Sequence, residues 1–102
     1  MSTGTSLNEV MLRGGVATGS SEWFDVSECE SLTVHIAGIT SATVEIHGMN
    51  TDQTRPAKAT DGVVLATTTV SDLIYIPGPI NYIKVKITAW VSGTVTADLA
   101  GC

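Results

Sequence analysis

The stretch "NYIKVKITAWVSGTVTADLAGC", Asn81 to Cys102, decides the fold. Ile83, Val85, Ile87 and Ala89 alternate with Lys84, Lys86 and Thr88, and Val95, Ala97 and Leu99 alternate with Thr96 and Asp98. A side-chain period of two belongs to a strand with one face buried. Between the two runs, Val91-Ser92-Gly93 suits a three-residue turn, with Gly93 supplying the positive φ of a bulged hairpin. The reading is therefore two strands and a turn, with Trp90 opposite Thr94, Thr88 opposite Thr96 and Lys86 opposite Asp98. In that register the large indole of Trp90 falls on the polar, outward face.

The same alternation recurs upstream. In "LTVHIA", residues 32–37, Leu32, Val34 and Ile36 share one face, with Thr33 and His35 on the other. In "TVEIHG", residues 43–48, Val44 and Ile46 point in, with Thr43, Glu45 and His47 pointing out. The connection Gly38 to Ala42 suits a hairpin. Shorter strands are expected over Leu7–Arg13, Glu22–Val26, Gly62–Val70 and Leu73–Ile76. The last stops at Pro77-Gly78-Pro79, where proline cannot continue a ladder. Helical periodicity is missing throughout. The expectation is an all-β chain of seven to eight short antiparallel strands, forming a β-sandwich of jelly-roll or immunoglobulin-like type in preference to a closed barrel. Residues 1–8, "MSTGTSLN", read as a flexible N-terminal arm, and residues 9–102 as one domain.

Composition excludes several functions. Five Lys and Arg against ten Asp and Glu give a net charge of −5, with the acids scattered. Nucleic acid and anionic lipid both call for clustered cations, so neither is an expected partner. No apolar run is long enough to span a membrane as a helix. The start lacks a basic region followed by an apolar core, so the expected compartment is the cytoplasm. Cys29 and Cys102 match no zinc or redox spacing. In a reducing cytoplasm the expectation is two free thiols. A covalent tie, within the chain or between chains, is the alternative that Cys102 at the chain end can reach.

Catalysis finds no foothold. No G-x-S-x-G elbow, Cys–His constellation or phosphate-cradling glycine loop is present, and the acids lack the apolar surround that separates carboxylate pKa values. His35, Glu45 and His47 would share an outer face if residues 32–48 form a hairpin. A metal site needs three or four converging ligands and a supporting shell, so neither a metal nor another cofactor is expected. Residues 49–62, "MNTDQTRPAKATDG", form the longest loop, and long loops in compact domains are often functional. In "SSEWFDVSE", Trp23 points out if Phe24 and Val26 point in. An outward Trp serves as an anchor between proteins or as a stacking platform for a sugar. The alternative for Trp23 is partial burial under a neighbouring loop.

"SSEWFDVSECESLTVHIAG", "SATVEIHGMNTDQ" and "INYIKVKITAWVSGTVTADLAG" together resemble the small β-sandwich virion proteins of tailed bacteriophages, from Ser20 onward. Those proteins decorate or cement the capsid, or belong to the head and tail apparatus. The resemblance implies a non-enzymatic structural protein without cofactor that binds the major capsid protein or another virion protein. It implies a homo-oligomer, a trimer first, made through sheet edges and arms. The expected place is the capsid surface, after assembly in the host cytoplasm. On that reading the contact residues are Trp90, Trp23, Arg55, Lys58 and Leu7. The loop with Arg55 and Lys58 departs from the family, whose turns here are shorter and of "GSxDG" type. The alternative is a carbohydrate-binding module of a phage adhesin.

Overall fold

The computed structural model describes residues 7–50 and 55–102. Seven strands run through these residues: β1 (Leu7–Gly15), β2 (Gly19–Ser20), β3 (Phe24–Asp25), β4 (Ser31–Met49), β5 (Val63–Thr68), β6 (Asp72–Pro77) and β7 (Tyr82–Gly101). All pairings are antiparallel within one sheet, and no helix occurs among the described residues. The all-β, antiparallel expectation holds. Of the expected arm, residues 1–6 lie outside the described residues. Leu7 and Asn8 do not belong to an arm: they open β1 by pairing with Gly101 and Ala100.

Two expected hairpins do not exist. Residues 32–48 form the single strand β4, 19 residues long from Ser31 to Met49, and residues 83–99 lie within the 20-residue β7. The two long strands pair with each other from end to end, Leu32 with Gly101 and Met49 with Tyr82. A straight strand of 20 residues would run about 66 Å at about 3.3 Å per residue. The longest dimension of the molecule is 43 Å, so the pair bends. The bend lies where the register shifts, between Ala37 and Val44 on β4. Gly38 (φ +80°) and Gly93 (φ +107°) meet there. A Cβ on Gly38 would sit within 1.9 Å of the Thr94 carbonyl oxygen, and one on Gly93 within 2.6 Å of the Gly38 oxygen. Gly93 thus has the expected positive φ, but it bends a continuous strand instead of reversing it.

The bend divides the sheet into two halves. On one side β1 and β6 flank the C-terminal part of β7 and the N-terminal part of β4. On the other, β2, β3 and β5 flank the remaining parts. Leu32, Val34, Ile36, Val95, Ala97 and Leu99 from the first half join Val44, Ile46, Ile83, Val85 and Ile87 from the second in a single buried core. The inward faces are those read from the alternation, because strand alternation does not depend on which strand is the partner.

Trp90 is where that alternation breaks. Thr43 pairs with Ala89 and Val44 with Ile87, leaving Thr88 unpaired in a bulge. A bulge resets which face the following residues take. Ala89 is turned out, while Trp90 is half-buried against the core with its Nε1 donating to the Gly93 carbonyl at 3.0 Å. The outward Trp90 of the hairpin reading is therefore corrected. The cross-strand partners are corrected with it: Trp90 faces Ala42, Lys86 faces Glu45 and Asp98 faces His35.

Cys29 and Cys102 form a disulfide across 73 residues, with Cα atoms 4.1 Å apart, so the expectation of free thiols is overturned. The bond fastens the end of β7 to the turn before β4. Val26 already anchors that turn by accepting the Cys29 N–H at 3.0 Å.

Candidate functional site

The outward face of the second half is covered by the chain itself. Lys84, opposite His47 in the β4–β7 ladder, is fully buried although it occupies an outward position. Residues 55–62 run over it as a strap. The Lys84 ammonium donates to the Thr60 carbonyl at 2.6 Å, the Lys58 carbonyl at 3.1 Å and Asp61 Oδ1 at 3.4 Å. It also stands 4.9 Å from the centre of the Trp23 ring, where the negative ring face attracts a cation. Trp23 Nε1 in turn donates to the Ala57 carbonyl at 3.0 Å. A buried ammonium is tolerated only when fully partnered, and here the strap provides the partners.

The strap has two further ties. Lys86 Nζ donates to both carboxylate oxygens of Asp61, at 3.0 and 2.9 Å. That hydrogen bond, with the Coulomb attraction of Lys86 and the contact to Lys84, holds the Asp61 carboxyl below its ordinary range against some desolvation. A lowered carboxylate pKa makes the tie present above the ordinary value and lost as pH falls through the lowered one. Next to it the Gly62 N–H donates to His47 Nδ1 at 3.3 Å, and His47 Nε2 lies 2.9 Å from Glu45 Oε1.

The expected contact residues lie in unlike surroundings. Trp23 does not point into solvent: it is 1% exposed, under its own chain's strap. Arg55 and Lys58 are exposed on that strap, with the Lys58 carbonyl spent on Lys84. Leu7 is half-buried at the start of β1, beside a cleft of about 340 Å³ lined with Val26, Cys29 and Cys102. These residues do not converge on one surface patch. The His35–Glu45–His47 arrangement also fails, since His35 lies in the other half of β4. Among the described residues no three His, Cys, Asp or Glu side chains gather as a metal site. Asp25 serves the local chain: its carboxyl is held low by the backbone N–H of Ser27 and then by its hydroxyl, which donate at 3.0 and 2.7 Å.

The alternation hid Lys84, because an outward Lys on a strand reads as solvated. The length of the 49–62 loop, and the alternative that Trp23 lies under a neighbouring loop, were the signals of a cover. Replacing Lys84 by Met should cost about 2 kcal/mol, since two strap carbonyls lose a charged donor. The denaturation midpoint reads the loss. Trypsin should then cut the folded variant after Lys58 faster than it cuts the parent, and equal rates would show that the strap is held by other contacts.

Large apolar side chains are among those left uncovered. On β6, Leu73 is 64% exposed and Tyr75 62% exposed, opposite His35 and Thr33 on the outer face of the first half. On the outer strand β5, Val63 is 71% exposed, and Val64 and Leu65 are also exposed. No charged residue lies between Gly62 and Ser71. Edge strands normally carry charges or proline against unwanted pairing. No helix of the described residues is long and apolar enough to cross a membrane.

No protein-family model matches the chain, and no curated protein matches it. Among solved structures, the SPBc2 prophage-derived protein YomS is similar over 94% of this chain and 91% of its own, at 17% sequence identity. The TM-score of 0.73 makes the likeness one of fold: this all-β sheet is built like that of a prophage-derived protein.

Proposed function

We propose that the chain is a non-enzymatic structural protein of a phage virion, a decoration or cement protein bound to the head shell. Its folded-over sheet acts as a β-sandwich whose second half is partly covered by the strap and whose first half displays Leu73 and Tyr75. The observation that carries this reading is the uncovered apolar pair Leu73 and Tyr75, held on a rigid strand face beside His35 and Thr33. Apolar side chains displayed on a rigid sheet suit burial against another protein, with aromatic residues as anchors. The fold shared with a prophage-derived protein supports the phage setting. Many identical weak contacts suffice when the partner is a repeating shell.

The test is co-sedimentation with undecorated capsids, next to light scattering of the free protein. The expected result is a trimer that pellets with capsids, while the double variant Leu73→Ser, Tyr75→Ser folds normally and stays in the supernatant. A parent protein that never pellets with any capsid preparation and binds an immobilised glycan instead would replace this reading with that of an adhesin module.

A further inference from the structure

We propose that His47 is a pH-operated latch for the strap of residues 55–62. The strap closes on the neutral imidazole and is released when His47 takes up a proton. The inference is independent of the virion reading.

The hydrogen bonds settle which nitrogen carries the proton. The Gly62 N–H donates to His47 Nδ1 at 3.3 Å, so Nδ1 must offer its lone pair. The remaining proton therefore sits on Nε2 and is donated to Glu45 Oε1 at 2.9 Å. Both ring nitrogens are in use, and the ring is 2% exposed. A proton delivered from solvent to Nδ1 leaves the Glu45 bond intact. It turns the acceptor facing Gly62 into a second donor, so the bond lost is the one made by the strap.

A positive charge already stands beside the ring. Directly across the ladder stands Lys84, fully buried and already positive. An imidazolium would place a second positive charge beside it, and the strap carbonyls of Lys58 and Thr60 cannot serve both. Glu45, on the same strand, accepts from Nε2 and keeps the ring in place. Asp61 on the strap is the nearest further anion, but Lys86 occupies both of its oxygens. β5 faces His47 with Val64 and brings no titratable group. Trp23 adds the ring that already faces Lys84.

Gly62 is the point where release matters. A Cβ there would lie 2.5 Å from the Gly48 carbonyl oxygen and 2.8 Å from Trp23 Cη2, so the strap presses on the sheet and the indole at this residue. Residues 57–61 are exposed along their length. Loosening the strap at Gly62 loosens the cover over Trp23, whose Cη2 meets Gly62 and whose Nε1 donates to the Ala57 carbonyl. Imidazoles change charge between about pH 5 and about pH 8, whereas the Asp61 tie fails only in more acidic solution.

The experiment uses the full chain carrying Trp90→Phe, so that Trp23 is the remaining tryptophan and is excited selectively over the tyrosines. Acrylamide quenching is measured from about pH 8 to about pH 5, with circular dichroism reporting that the sheet persists. The expected result is a several-fold rise in Trp23 quenching on acidification, in step with an upfield move of the Gly62 amide proton resonance in the unsubstituted protein. In His47→Asn the side-chain oxygen takes the place of Nδ1 but cannot be protonated, and quenching should stay low throughout. Constant quenching and a constant Gly62 resonance in the unsubstituted protein overturn the proposal. So does a transition that survives in His47→Asn and disappears in Asp61→Asn, which would assign the response to the carboxylate. Should His47→Asn not fold, the Gly62 resonance still decides.

Discussion

Reducing the Cys29–Cys102 disulfide should lower the melting temperature by on the order of 15 °C. The bond closes a loop of 73 residues. Constraining so long a loop in the unfolded chain is worth about 4 kcal/mol, a large share of the roughly 5–15 kcal/mol that holds a domain together. In the folded state the bond ties β7 where Gly101 pairs with both Leu7 and Leu32, so three strands end at one fastening. Thermal unfolding with and without a thiol reductant measures the effect, and Cys102→Ser should reproduce the reduced value. Two titratable thiols in protein purified without reductant, or an unchanged melting temperature, would contradict the bond.

Gly38→Ala should be the most damaging single substitution in the sheet, costing more than about 4 kcal/mol and leaving little folded protein. The added Cβ would fall 1.9 Å from the Thr94 carbonyl oxygen, at a φ of +80°. The atom it meets is backbone of the partner strand, so it cannot rotate aside, and β4 and β7 would have to part at their bend. Gly14→Ala is the matched control: its φ is +63°, but nothing lies within 4 Å of the new Cβ. That variant carries only the left-handed backbone penalty of about 1–2 kcal/mol. Urea denaturation compares the two. If both lose the same amount, the cost at Gly38 is conformational and the close crossing of the strands does not bind the fold.

The periodicity of the chain by itself determined that it is all-β and antiparallel, and largely which side chains form the core. Val34, Ile36, Val44, Ile46, Val85, Ile87, Val95, Ala97 and Leu99 alternate with polar residues, and all nine are buried. The short strands β5 and β6 also lie where Gly, Pro and Asp bound the apolar runs. What the tertiary structure alone decided is which strands pair. A hairpin within residues 32–48 and a continuous strand paired with residues 82–101 bury the same faces, so alternation cannot tell them apart. The choice depends on two glycines, far apart in sequence, that let β4 and β7 cross closely as they bend. The same crossing set the bulge at Thr88 that returned Trp90 to the core, and it separated His35 from Glu45. A loop over Trp23 was one reading of the sequence, but what it would cover could not be read, for a related reason. Lys84 and Trp23 are polar-face residues by position, and only a loop arriving from residues 55–62 with three oxygen acceptors could bury the ammonium and cover the indole. Local pattern fixes which side of a strand a residue takes; what lies on that side is fixed by the rest of the chain.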